Sequence, residues 1–376
     1  MTTIRVLAPG LLTTVQDLGR PGHAALGVSA CGAADAVALR LGNQLVGNPA
    51  AAAALEMTLV GATLLFESAA WVALTGAPCE ARRGRGAADE LAVPMWTALR
   101  LEAGETLRCR AISEGARTYL SVAGGLDVPR VLGSAATHVR SELGGQQGRA
   151  LRAGDELRVA PSATAPRPGT ISRAALATLY PRCQPSLLRV TAGPQSEQLA
   201  AAFASFLVAE YEVSPRSDRM GVRLLGPPLL SSWGPGLPSG GARAATTRPG
   251  EPLGPGGPSL PTAGAGATRP GQLPGPGDPG RPAEAEGAAR PGELLSQGVF
   301  LGAVQLPADG LPILLSVDHQ TTGGYPVIAG VIAADLGRLG QLRPAERVRF
   351  AAVSLAEADA LHAAQEALIV SLARLW

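Results

Sequence analysis

Leu101-Glu-Ala-Gly-Glu-Thr-Leu-Arg-Cys109 is the stretch from which the fold is read. It is echoed by Leu151-Arg-Ala-Gly-Asp-Glu-Leu-Arg-Val159 and, more weakly, by Leu342-Arg-Pro-Ala-Glu-Arg-Val-Arg-Phe350. Each copy reads as a turn that launches a strand. The spacing between copies is irregular, which excludes a solenoid. Recurrence of one β-unit in both halves of the chain points to two related barrels. Outward from these copies, most periodic segments read the same way. Thr63–Glu67, Trp71–Thr75, Thr106–Cys109, Thr118–Val122, Leu157–Val159, Leu187–Thr191, Tyr211–Val213, Val222–Leu224, Gly302–Leu306, Ile313–Val317 and Arg347–Phe350 are short and rich in Val, Leu and Thr. Gly and Pro turns separate them, as in barrels and sandwiches. Helices are few. One is expected over Ala33–Val46, with Val37, Leu41 and Leu45 on one face and a stop at Gly47-Asn48. A short one is expected within Ser172–Tyr180 and another from Asp335. The last begins at the capping box Ser354-Leu-Ala-Glu357 and carries Leu361, Leu368, Leu372 and Leu375 on one stripe. The chain therefore reads as mainly β with a few helices.

Composition narrows the chemistry. The 376 residues include 46% apolar and only 16% charged side chains, and the net charge is +2. That gives no electrostatic footprint for nucleic acid or for an anionic membrane surface. There is no lysine; all 32 basic residues are arginine. A P-loop lysine, a Schiff-base lysine and a biotin attachment lysine are all excluded from this chain. The four cysteines, Cys31, Cys79, Cys109 and Cys183, are at least 30 residues apart, so neither a zinc ribbon nor a disulfide framework is expected. No H-E-x-x-H occurs, and His23, His138 and His362 lack metal-ligand spacing, so no metal site is expected. Met1–Val6 reads as a first strand rather than a leader. No apolar run approaches the ~18 residues of a membrane span. A soluble, cytoplasmic protein is expected.

Residues 234–292 stand apart. The window holds 16 Gly and 13 Pro, and no Val, Ile, Phe, Tyr or Trp. Such a segment cannot bury enough surface to offset its ordering entropy, and it reads as a disordered insert. A milder break at 161–186, marked by Pro161, Pro166, Pro168, Pro181 and Pro185, reads as a linker between two halves.

Three polar loops stand out because a core would not need them. Thr13-Thr-Val-Gln16-Asp17-Leu-Gly-Arg20 gathers Gln, Asp and Arg on a Gly-flanked loop. It either binds a small polar ligand or fixes a turn through an Asp17–Arg20 pair. Ser217-Asp218-Arg219-Met-Gly-Val-Arg-Leu224 leads into a strand, and a salt-bridged turn is the competing reading. Asp318-His319-Gln320-Thr321-Thr322-Gly-Gly-Tyr325-Pro326 puts five consecutive hydrogen-bonding side chains after an apolar strand. Two glycines then let the backbone approach a ligand closely. His319 beside Asp318 is a candidate for acid–base chemistry, as is Asp17.

These loops, in this order, resemble the 5-oxoprolinase C-subunit family. It is also known as the Kip-antagonist or allophanate-hydrolase-subunit-2 family, the same family as the A and B carboxyltransferase subdomains of urea carboxylase. The likeness is carried by Gly10–Arg20, Gly32-Ala-Ala-Asp35 with Asn43 and Val46-Gly-Asn48, Ala54-Leu-Glu56-Met-Thr-Leu and Leu74-Thr-Gly76. It continues through Ala123-Gly-Gly-Leu-Asp127-Val-Pro, Gly193-Pro-Gln195, Ser217–Leu224 and Gln320–Pro326. The resemblance implies two cyclophilin-like β-barrel subdomains, at 1–160 and at 187–233 with 293–352, followed by a C-terminal helix at 353–376. It implies polar contacts to a small substrate at Gln16, Arg20, Asp35, Asn43, Glu56, Gln195, Asp218, Arg219, Gln320, Thr321, Thr322 and Tyr325. It also implies two 5-oxoprolinase partners, the cyclophilin-like B subunit and the A subunit, and with them the hydrolysis of 5-oxo-L-proline to L-glutamate with ATP. Two alternatives follow from the same resemblance. One is a carboxyltransferase component of a biotin-dependent, urea-type carboxylase, with biotin on a partner. The other is a non-catalytic regulator that binds a kinase inhibitor resembling the B subunit. Family members have a much shorter connection where 234–292 lies. The position of His319 is often arginine in the family, which counts against a catalytic imidazole there.

Overall fold

The computed structural model describes residues 2–86, 89–162, 169–181, 185–229 and 295–374. The expected insert at 234–292 and parts of the expected linker lie outside the described residues. No described helix is long and apolar enough to cross a membrane.

The first half contains β1 (Thr2–Ala8), β2 (Leu12–Gln16), α1 (Ala36–Leu45), β3 (Ala54–Thr58), β4 (Thr63–Phe66) and β5 (Ala70–Gly76). It continues with β6 (Cys79–Gly84), β7 (Leu91–Ala92), β8 (Ala98–Leu101), β9 (Thr106–Ile112), β10 (Arg117–Val122) and β11 (Glu156–Val159). They form two antiparallel sheets, ordered β11-β1-β4-β9-β6-β7 and β2-β3-β10-β5-β8. Inward residues of both sheets share one core, with Ile4, Leu64 and Leu107 from the first and Leu55, Leu74 and Leu120 from the second. Alternation along each strand is what allows two sheets to bury one face each. Helix α1 covers β5 and β10. The Asp35 carboxylate caps it by accepting from Ala38 N at 3.0 Å. Val37, Leu41 and Leu45 are buried on its lower face, as their spacing requires.

The second half begins after α2 (Arg173–Leu179) and runs through β12 (Ser186–Ala192), α3 (Ala200–Val208), β13 (Tyr211–Val213) and β14 (Gly221–Leu225). It resumes with β15 (Gln297–Gly298), β16 (Ala303–Gln305), β17 (Ile313–Leu315), β18 (Thr322–Gly323), β19 (Val327–Val331), α4 (Leu336–Leu339) and β20 (Arg347–Ala352). Seven strands close a barrel in the order β12-β19-β16-β17-β14-β13-β20. A ring with an odd number of strands cannot alternate direction all the way round. The mismatch falls at β12–β20, which pair in parallel, Ser186 opposite Val348 through Val190 opposite Ala352. Phe206 of α3 stacks on Phe350 at 4.2 Å between ring centres and closes one face of the barrel. The short pair β15–β18 stands outside the ring. Helix α5 (Leu355–Ala373) starts at the expected capping box and lies against α1, where Arg40 and Glu366 form a two-bond ion pair.

The recurring phrase has a common local structure. Gly104, Gly154 and Ala345 all have left-handed backbones, with φ of 80°, 89° and 67°. In each turn the following acid closes the loop twice. Its backbone N–H donates to the carbonyl three residues earlier, at 3.1 Å in all three copies. Its carboxylate accepts from the N–H of that same residue: Glu105 from Glu102, Asp155 from Arg152 and Glu346 from Arg343. The phrase recurs because this turn needs a residue tolerant of positive φ followed by an acid.

Candidate functional site

A buried polar cluster joins the two halves. At its centre lies the Arg219 guanidinium, from the turn before β14, with Arg219 only 6% exposed. Its Nε and Nη2 donate to the two oxygens of Asp318, at 2.8 and 2.9 Å. Nη1 donates to Glu56 Oε1 on β3, and Nη2 also donates to the Gly32 carbonyl at 2.8 Å. The other Glu56 oxygen accepts from the Tyr119 hydroxyl at 2.7 Å and from Ala34 N at 2.9 Å. Burial alone would pull the Arg219 guanidinium toward neutrality. Glu56 and Asp318 outweigh that and hold it firmly charged.

Beyond Tyr119 the cluster runs to Asp35. Its backbone N–H donates to Tyr119 Oη, and its carboxylate accepts from the Tyr180 hydroxyl at 2.9 Å and from Gln341 Nε2 at 2.8 Å. Asp35 is fully buried, and desolvation pushes its carboxyl up to about 6 against the pull of these donors. Arg117, also buried, lies 3.6 Å from Glu56 and donates to the Gly340 carbonyl. Tyr180 and Gln341 also line a cleft of about 950 Å³ between α2, the Gly76–Pro78 turn and the α4 segment.

Asp318 is the last residue this cluster holds before the chain leaves the core. His319 follows, 9% exposed, with Nδ1 2.6 Å from the Gln320 carbonyl. Burial holds its imidazole below the ordinary value, so it is neutral near pH 7. The chain then emerges: Gln320, Thr322 and Gly324 are exposed, Thr321 is half-buried and Tyr325 is 46% exposed. Four carboxamides, Gln320 of the loop and three beneath it, form its base. Gln320 Nε2 donates to Gln305 Oε1 at 3.2 Å. Gln195 and Gln297 pair reciprocally at 3.2 and 3.1 Å, and Gln195 Oε1 also accepts from Val327 N at 2.8 Å. Loop 320–326 is therefore an exposed polar face on a fixed amide floor, with its entry strand anchored to the other half of the molecule.

The expected site residues divide between these settings. Gln16 is buried and donates to Thr14 Oγ1 and the Thr137 carbonyl, both at 3.0 Å. The Asp17 carboxylate accepts from Gly19 N, the Ser134 hydroxyl and Ala135 N. Arg20 donates to the Val131 and Ala136 carbonyls. Among the described residues Asp17 and Arg20 do not pair; each fixes a different stretch of the 131–137 loop. Asn43 ties α1 to the Ala50 and Ala52 carbonyls. Asp218 is exposed and closes a turn by accepting from Met220 N and Gly221 N. Between Gln16 and the Arg219–Asp318 pair stands the 29–31 segment. Cys31 Sγ lies 3.9 Å from Gln16 Oε1 and 3.7 Å from Arg219 Nη2, and Ser29 Oγ donates to the Val317 carbonyl at 3.1 Å.

Sequence reasoning misses Arg117, Tyr119, Tyr180, Gln341, Gln297 and Gln305. A signal exists for Gln305, a carboxamide in the apolar strand Ala303-Val-Gln-Leu306, where the barrel interior calls for Val or Leu. Tyr119 sits in a strand with every residue buried, where its hydroxyl demands a partner.

The family model of the carboxyltransferase domain, subdomain A and B, matches residues 26–352. The C subunit of 5-oxoprolinase from Escherichia coli is 35% identical, over 94% of this chain and 93% of that protein. Its namesake from Haemophilus influenzae is 32% identical, over 96% and 95%. The urea amidolyase of Lachancea kluyveri is 28% identical over 98% of this chain, with the match spanning only 18% of that protein. Among solved structures, the Kluyveromyces lactis urea carboxylase superposes with a TM-score of 0.74 at 27% identity, covering 98% of this chain and 29% of that one.

Proposed function

Because the chain belongs to the carboxyltransferase-domain, subdomain A and B family, we propose that it acts as the C subunit of an ATP-dependent 5-oxoprolinase. It works there with the A and B subunits to convert 5-oxo-L-proline to L-glutamate. The observation that carries this reading is the end-to-end match to two proteins named as C subunits of 5-oxoprolinase, with over nine-tenths of each chain aligned. The chain has no lysine for a P-loop or for covalent biotin. ATP is therefore assigned to the complex, and biotin, if the urea-type reading holds, to a partner. The exposed loop from Gln320 to Tyr325 is the face offered to substrate. Gln195 stands in the amide floor, and Glu56, Arg219 and Asp318 act as braces that fix the loop's entry strand. Gln16, Asp17, Arg20, Asp35 and Asn43 serve the same end from further away, by setting the first half against which the braces pull. His319, buried and neutral, is placed to hold the loop through Gln320 rather than to exchange protons with solvent.

The second reading, a carboxyltransferase component, is favoured by the urea amidolyase and urea carboxylase relatives. A substrate panel separates the two. The chain assembled with the A and B subunits releases glutamate from 5-oxoproline and ATP, and does not carboxylate urea from a biotinylated carrier. Urea carboxylation without glutamate release selects the second reading.

A further inference from the structure

The two carboxamide pairs at the base of the loop differ in a way that has chemical consequences. Gln195 and Gln297 form a closed couple, each amide donating to the other's oxygen. Gln305 and Gln320 share a single bond, from Gln320 Nε2 to Gln305 Oε1. The reciprocal bond is not made. Gln305 Nε2 is buried with no acceptor among the described residues, on a residue only 2% exposed. Gln320 Oε1, on the exposed side, accepts no hydrogen bond among the described residues. This open couple offers one unmatched donor and one unmatched acceptor, side by side. A buried N–H without an acceptor is destabilising and calls for a partner that the fold itself does not supply.

That donor is shut off from solvent, and against it lies a stretch of the loop backbone that bears no side chain. Gly323, opposite Gln297 in the β15–β18 ladder, lies against it, and a Cβ at 323 would stand 2.6 Å from Gln305 Nε2. Any larger residue there would cap the donor.

Resting on the 5-oxoprolinase reading, we propose that the open Gln305–Gln320 couple binds a cis-amide edge, an N–H and a C=O on the same side of one planar group. With Gly323 of the exposed loop drawn aside, the ligand carbonyl accepts from Gln305 Nε2 and the ligand N–H donates to Gln320 Oε1. A five-membered lactam carries this edge, and so does urea. A trans peptide does not, because its N–H and C=O point to opposite sides. The couple thus reads the feature shared by the two substrate classes, and rejects ordinary peptide.

The test uses the full chain and three probes: 2-pyrrolidinone, N-methyl-2-pyrrolidinone and urea at millimolar concentration, titrated by NMR. N-methylation removes the donor and keeps the carbonyl. In the unmodified chain 2-pyrrolidinone binds roughly tenfold or more tightly than its N-methyl form, the usual value of one hydrogen bond. Gln320→Met removes the acceptor and brings that ratio to about one. Gln305→Met weakens both lactams together and preserves the ratio. Gln320 is exposed, so its variant tests the idea even if Gln305→Met fails to fold, and a thermal melt checks each. Urea binding that is lost in Gln320→Met, without lactam binding, supports the couple and assigns it to urea. Equal affinity for the two lactams, a ratio unchanged in Gln320→Met, or no saturable binding of any probe overturns the proposal. Glutamate release by the assembled complex with no such ratio sinks this inference alone. A preserved ratio with no glutamate release sinks the functional reading instead.

Discussion

Arg219 ties together two halves of the molecule, reaching Glu56 across 163 positions of sequence. Its charge is out of water, and two carboxylates replace the lost hydration. Arg219→Met leaves Asp318 buried without its counterion and Glu56 with Arg117 alone, and is expected to cost about 3–5 kcal/mol in urea unfolding. Asp35 makes a prediction of opposite character. Its native carboxyl titrates near 6, above the ordinary 3.8. Between these values the folded chain holds a proton that the unfolded chain has released, so stability falls as pH rises through the window and is flat above it. The size is ~3 kcal/mol, and Asp35→Asn should lack that slope when the two are compared by unfolding from pH 4 to pH 7. Polar residues where a core would not need them are legible one by one in the loops of Gln16, Asp17, Arg219 and Gln320, while Glu56 enters only through the family resemblance. Their division into braces and ligand face is not. That depends on partners such as Gly32, Tyr119 and Ser134, which no local spacing reveals.

At the scale of elements, the three repeated turns test whether positive φ is the reason the phrase recurs. Ala345 occupies the position held by Gly104 and Gly154, and an L-residue there carries a left-handed penalty of ~1–2 kcal/mol. Ala345→Gly relieves that strain against a smaller entropic cost, and should raise stability by a few tenths of a kcal/mol. Gly154→Ala has open space for its methyl group, so only the backbone strain counts, and it should cost about 1 kcal/mol. Differential scanning calorimetry of both variants checks the signs; the same sign for both would refute the positive-φ explanation. Strands are legible because alternation and turn chemistry are local, and Tyr211–Val213 appears with the expected bounds. The helix expected from Ala33 begins only at Ala36, because the Asp35 side chain turns to cap it. Sheet order is not legible. Nothing in β12 announces that it will lie parallel to β20, a pairing imposed by closing seven strands into a ring.

For the molecule as a whole, composition sets the first expectation. Residues 234–292 contain no Val, Ile, Phe, Tyr or Trp and almost half of them are Gly or Pro, so replacing them with a short Gly/Ser linker should leave the melting temperature within a few degrees. A large drop would mean that the segment contributes to the packed core. The second expectation concerns dependence on partners. The two halves brace a polar loop that faces outward, and the chain carries no lysine with which to hold a nucleotide's phosphates. On the proposed reading it contributes a face to a larger enzyme, and turnover is expected only from the complete complex. The most direct measurement is ATP-dependent glutamate release from 5-oxo-L-proline in an omission series: this chain alone, the A and B subunits without it, and all three together. Release is predicted only from the complete set. Robust release by this chain alone, or undiminished release when it is left out, would contradict its place as an essential component of the complex.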